Sequence, residues 1–169
     1  MPVSKKAIVK KTAKAIVKKV AKKAAKKAVK KEKELIKYED KSKGQPELVI
    51  IFNRIKEIMM PYANGSIKAH GGSGGKLLLI SHKPLEIQGR KRDELWFTSI
   101  LIQKGYVGFY FMPIYGYKKL GEQIHPQLMK CLKGKACFHI KKNDEELYAQ
   151  ITEVMKLGYE AYKKSGWVD

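Results

Sequence analysis

The sequence predicts an α+β domain: a largely antiparallel sheet flanked by N- and C-terminal helices, preceded by a disordered or partly helical basic tail. Three observations predict it. Two runs rich in β-branched and aromatic residues, Glu94–Gln103 and Tyr106–Met112, are separated only by Lys104-Gly105. That is the pattern of a two-residue hairpin turn, with glycine supplying a positive φ. Apolar residues recur at helical spacing on either side of the strand-rich region, from Pro46 and again after Asn143. Composition also changes abruptly: residues 1–31 hold thirteen Lys and no acid, residues 32–44 hold four Lys and four acids, and the remainder carries +7 of the net +20.

Residues 1–45 read as a Lys/Ala-rich tail and linker, and 46–169 as one domain. The latter is long enough for a core that buries roughly 65% of the unfolded surface. Ala13 to Lys37 lacks Gly and Pro and is dominated by Ala and Lys, both good helix formers. Lysine pairs recur every four residues: Lys18-Lys19, Lys22-Lys23, Lys26-Lys27 and Lys30-Lys31. A helix advances about 100° per residue, so this period drifts about 40° per repeat and the basic stripe winds around the helix. A membrane-surface helix needs a fixed face of bulky apolar residues. From Lys5 to Lys31 these are only Ile8, Val9, Ile16, Val17, Val20 and Val29. The seven-residue period of a coiled coil is absent. Like charges four apart repel, so the free tail is expected to be disordered or partly helical and to gain more helix when a polyanion neutralises it.

The Lys5–Lys31 segment resembles the lysine/alanine-rich tails of linker-histone-like, DNA-condensing proteins. That resemblance implies nucleic acid as the partner of Lys18, Lys19, Lys22, Lys23, Lys26, Lys27, Lys30 and Lys31. Lysine meets phosphate as a point charge, and phosphate contacts carry no base sequence. The alternative is a solvated, solubilising extension. Gly44 and Pro46 end the linker.

The domain opens with a helix carrying Leu48, Ile51, Phe52, Ile55 and Met59, stopped by Pro61. Asn64-Gly65 is a turn. Ser66–His70 and Lys76–Ser81 are strands joined by a glycine loop, and Leu85–Ile87 is a short third. The hairpin spacing pairs Ile102 with Val107, Ile100 with Phe109 and Thr98 with Phe111. Strict alternation adds Trp96 to this apolar, helix-facing side. The other side carries Gln103, Tyr106, Leu101, Gly108, Ser99, Tyr110, Phe97 and Met112. Ile114–Leu120 reads as loop, Pro126–Leu132 as a short helix, Lys133-Gly134-Lys135 as a turn and Ala136–Ile140 as a strand. Asn143 with Glu146 suggests the capped start of the last helix, which carries Leu147, Ile151, Val154, Met155, Gly158 and Tyr162 and closes at Ser165-Gly166.

Gly89–Phe97, Gln103–Pro113, Leu132–Lys142 and the closing Tyr162–Val168 resemble the YdhG-like family, a bacterial domain of unknown function, over essentially Glu47–Val168. The resemblance implies a small cytoplasmic α+β domain with a frataxin-like shape and a link to iron handling. It transfers no catalytic residue.

The residues themselves offer little catalytic chemistry. An iron ridge needs clustered acids, yet the first helix sets Glu47 and Glu57 beside Arg54 and Lys56. Cys137 and His139 share a strand face, with Cys131 nearby, but a structural zinc site wants four ligands in tight pairs. The glycine loop lacks the phosphate-binding G-x-x-x-x-G-K-[ST] pattern, and no G-x-S-x-G motif is present. No metal, cofactor or catalytic residue is expected. Phe97, Tyr106, Tyr110 and Met112, with room left by Gly108, are a candidate ligand groove for a small molecule or a single-stranded base; the alternative is a half-buried face covered by loops. Two cysteines, no apolar leader and no run of about 20 apolar residues suggest a reducing cytoplasm and no membrane span. The expected function is a non-enzymatic protein held to nucleic acid by its tail. The competing function is a small-molecule or metal (iron) binding domain with an incidental tail.

Overall fold

Residues 36–169 are described by a computed structural model. The eight tail lysines singled out above, and the expected tail conformation, lie outside the described residues. A compact unit begins at Glu39. Its first residues attach to the central hairpin: Lys41 Nζ donates to Gln103 Oε1 at 2.8 Å, and the Gly105 amide donates to Gln45 Oε1 at 2.7 Å.

Helix α1 (Pro46–Met59) buries Leu48, Ile51, Phe52, Ile55 and Met59 on one face. Strands β1 (Ile67–Ser73), β2 (Lys76–Ser81), β5 (Leu95–Gln103), β6 (Tyr106–Phe111), β7 (Leu132–Lys133) and β8 (Cys137–Ile140) form one sheet, in the order β1-β2-β5-β6-β8-β7. Every neighbouring pair is antiparallel. β3 (Leu85–Ile87) and β4 (Arg90–Arg92) form a separate two-stranded ribbon. Single-turn helices α2 (Pro113–Gly116) and α3 (Lys118–Gly121) and the short α4 (Pro126–Lys130) lead to β7, and α5 (Glu145–Lys164) closes the domain. This is the expected α+β architecture. α1 and α5 pack on one sheet face over Leu77, Leu79, Ile100, Ile102, Val107, Phe109, Phe111, Phe138 and Ile140.

The α5 contact requires glycine at 158. A Cβ there would overlap the Phe111 ring and lie 2.9 Å from Pro113 Cγ. Phe111 is fully buried and has no free space to yield into. Gly158→Ala is therefore expected to destabilise the domain by about 1–3 kcal/mol, overpacking outweighing the ~1 kcal/mol gain in helix propensity. A fall in the urea midpoint measures it; an unchanged or higher midpoint would contradict this packing.

The hairpin register is as the spacing predicts, Ile102↔Val107, Ile100↔Phe109 and Thr98↔Phe111. Alternation fails one residue further on. On the β2 side Leu79 pairs with Thr98 but Ile80 pairs with Trp96, so Phe97 is the extra residue of a β-bulge. The bulge reverses both neighbours. Trp96 leaves the helix-facing side, and Phe97 joins the core with no exposed surface. The Phe97 ring lies 5.4 Å from that of Tyr162 and 6.0 Å from that of Tyr62. Phe97 is thus no part of a groove.

One strand arises that the sequence did not suggest, and three local expectations are corrected. β4 forms because Gln88 and Gly89 both take positive φ, 52° and 74°, closing a two-residue turn; a non-glycine residue in that region gives no turn signal. Ile114–Leu120 is helical turns rather than loop, pinned by Tyr117, whose hydroxyl donates to the Ala161 carbonyl at 2.9 Å. The helix from Pro126 stops at Lys130, since Leu132–Lys133 pairs with β8 and the Cys131 carbonyl accepts from the His139 amide at 2.8 Å. Asp144, not Asn143, caps α5: its Oδ1 accepts from the Glu146 amide at 2.9 Å, while Asn143 Oδ1 accepts from the Tyr148 hydroxyl.

Candidate functional site

Beyond the core, β6 alternation puts Tyr106, Gly108 and Tyr110 on the sheet face opposite α1 and α5. Cross-strand pairing sets His139 beside Gly108 and Cys137 beside Tyr110. A Cβ at Gly108 would lie 2.9 Å from Tyr110 Cε2, so the glycine lets the half-buried Tyr110 ring lie close over the strand. The Tyr106 ring stacks on the His139 imidazole, centroids 3.7 Å apart and planes 13° apart. Burial pushes the Tyr110 hydroxyl up to about 12, with Cys137 adding to the shift through charge and a hydrogen bond. Tyr110 is therefore a neutral hydrogen-bonding group and not a base.

The turn between β7 and β8 folds lysines from both sides of it around this imidazole. Lys130, Lys133, Lys141 and Lys142 line a cleft of about 320 Å³ with Cys131 and His139. Burial, then Lys141 and Lys133, hold the His139 pKa below its ordinary value. At pH 7 the imidazole is neutral and the positive charge of the cleft comes from lysine. Burial raises both the Cys131 and Cys137 thiols, so neither is an activated thiolate. Among the described residues no group of three or more His, Cys, Asp or Glu is placed to hold a metal ion. On α1, Glu57 is held by Arg54 at 3.2 Å, and Arg54 also reaches Glu145 at 2.7 Å. The arrangement suits a phosphate or carboxylate, bound by point charges beside a flat aromatic pair.

His139 gives this cleft a pH signature. Its folded pKa lies below the unfolded value, so the unfolded chain binds the proton first as pH falls below about 6.5. Its contribution to stability is present above that pH and is lost as pH falls through the lowered pKa. His139→Gln is expected to flatten this part of a stability–pH profile. A profile identical in the two proteins would contradict the electrostatics of the cleft.

A second cleft, of about 390 Å³, lies where the β3–β4 ribbon, the start of β5, α2 and the C-terminal residues meet. Trp96, Met112, Tyr115 and Trp167 line it, with Arg92 and Glu94. The four groove residues read from the sequence are thus divided. Tyr106 and Tyr110 share the face that carries His139, Met112 belongs to the second cleft, and Phe97 belongs to the core. Sequence reasoning missed Trp96, Tyr115 and Trp167 as cleft residues, because a bulge and distant chain segments bring them together. The lysines around His139 were within reach: Lys133-Gly134-Lys135 marked the turn that joins them.

At the other end of the sheet His70 Nε2 and His82 Nε2 are 2.9 Å apart, and His82 Nδ1 is 3.9 Å from Glu94 Oε1. Among the described residues no helix is long and apolar enough to cross a membrane.

No protein-family model, no curated protein and no solved structure matches this chain.

Proposed function

We propose that this chain is a non-enzymatic cytoplasmic protein, a YdhG-like domain held on nucleic acid by its lysine-rich tail. One observation carries the proposal: thirteen lysines and no acid in the first thirty-one residues, with eight of them in the four-residue repeat. That density of point charge attracts a polyanion without reading its sequence. The lysine-lined cleft at His139 supports the same reading from within the domain, since it adds cations where a phosphate could sit beside an aromatic surface. The test is binding of the full chain to a labelled duplex across a salt series. Affinity is expected to fall by ~10³–10⁵ between 50 and 200 mM salt; a flat response overturns the proposal.

The competing reading, a small-molecule or metal (iron) binding domain with an incidental tail, draws support in its small-molecule form from the tryptophan-lined cleft. Its volume falls within the roughly 300–1,000 Å³ usual for ligand sites.

A further inference from the structure

We infer that the Trp96–Met112–Tyr115–Trp167 cleft takes an unstacked nucleobase of a single-stranded nucleic acid, with Arg90 and Arg92 of β4 holding the adjoining phosphates. This rests on the nucleic-acid reading above and narrows it to a strand form and a second contact surface.

The cleft is built for a flat ring. Four of its side chains, Trp96, Tyr115, Tyr162 and Trp167, are aromatic and a fifth is the polarisable Met112, and base–aromatic stacking tolerates every base because each has a π-face. Trp167 is set in place before any ligand arrives. Its ring meets Tyr162 edge-on at 5.2 Å and Tyr117 at 5.6 Å, and its carbonyl accepts from Ser81 Oγ at 2.9 Å. A preset stacking surface lowers the ordering cost of binding. Tyr115, by contrast, is 57% exposed; it is available to a ligand and contributes little to the core.

Charge complements the rings. The β3–β4 register pairs Leu85 with Arg92 and Ile87 with Arg90, so both arginines share the ribbon face that carries Ile87, itself on the cleft lining. Lys91 pairs with Glu86 and points to the other face. Arg90 and Arg92 are exposed, and neither side chain has a hydrogen bond or ion pair to another described residue. Two residues of strand separate them by about 7 Å, a stride suited to successive phosphates of an extended strand. Glu94, the one carboxylate on the lining, is an acceptor for the exocyclic amino group of a base. A base stacked inside a duplex cannot enter such a cleft, so the site discriminates strand form. The two clefts also lie toward opposite ends of β6, Tyr106 beside the lysines and Met112 beside the tryptophans, roughly 20 Å apart along the strand.

Trp96 and Trp167 are the only tryptophans in the chain, so intrinsic tryptophan fluorescence reports on this cleft alone. The full chain is titrated with an unlabelled single-stranded 20-mer, with the blunt duplex of the same sequence and with a free nucleoside monophosphate, and gel shift records overall binding in parallel. The single strand is expected to quench saturably, while the duplex shifts in the gel without quenching. Arg92→Ala and Tyr115→Ala, both at exposed positions and checked by thermal melting, are each expected to weaken the quench-detected affinity about fivefold or more. Gel shift without quenching by the single strand overturns the cleft inference and leaves the tail proposal standing. Loss of gel shift with both nucleic acids overturns the tail proposal. Quenching by the monophosphate at lower concentration than by the strand overturns the strand in favour of a free nucleotide. Unchanged titrations for both variants remove the cleft as the contact.

Discussion

Replacing Lys18, Lys19, Lys22, Lys23, Lys26, Lys27, Lys30 and Lys31 together with Gln is expected to remove most of the salt-dependent affinity for duplex nucleic acid. Each lysine that neutralises a phosphate releases a counterion and contributes about −0.9 to the slope of log affinity against log salt on B-form DNA. If all eight engage, they account for a slope of about −7. A fourfold rise in salt then weakens binding by roughly four orders of magnitude. The variant should keep only the shallow slope owed to Lys5, Lys6, Lys10, Lys11 and Lys14 and to the lysines of the domain. Gln preserves helix propensity closely, so a change of slope reads charge and not conformation. An unchanged slope would place the phosphate contacts on the domain, with the lysines around His139 the first candidates.

Phe97→Ala is expected to cost about 3–5 kcal/mol of stability, the largest effect of any single substitution considered. The side chain has no exposed surface and sits among Tyr62, Tyr159 and Tyr162. Truncation leaves a cavity walled by three aromatic rings, one of which is tied by its hydroxyl to the Trp96 carbonyl at 3.0 Å. Those rings have little freedom to collapse into the space. Met112→Ala, at a half-buried position on the cleft, should cost far less. Urea denaturation of the two variants separates the assignments. If Phe97→Ala stayed within about 1 kcal/mol of the parent while Met112→Ala did not, the bulge would be misplaced.

The contrast between these two residues shows how far local pattern reaches. Both stand in strand-like runs, and simple alternation assigns them to one groove. Alternation holds wherever each residue on one strand faces one on the next, as it does from Thr98 to Gln103 against β6. It breaks where β2 and β5 fall out of step by one residue. No composition near Phe97 signals that step. The bulge is favoured by what it achieves in three dimensions, since it turns a large aromatic ring into a space left between α1, its following turn and α5. Arg90–Arg92 was missed for a related reason: the turn at Gln88-Gly89 asks a glutamine for a positive φ, and only the completed ribbon makes that worthwhile. Tyr117 and Trp167 escaped notice as structural residues because their partners, Ala161 and Ser81, are distant in sequence.

By itself the sequence determined the elements whose cause is local. Helical spacing placed α1 and α5, a glycine turn set the β5–β6 register, and the uneven lysine count set the first thirty-one residues apart from the rest of the chain. These depend on 3.6- and 2-residue periods, on a turn that only glycine closes easily, and on charge that needs no fold to act. Tertiary structure alone decided which side chains meet. It sent Phe97 to the core and brought Trp96, Tyr115 and Trp167 to one cleft. Close packing is the reason: each of these placements minimises voids and overlaps among segments far apart in the chain, a condition that no window of neighbouring residues contains.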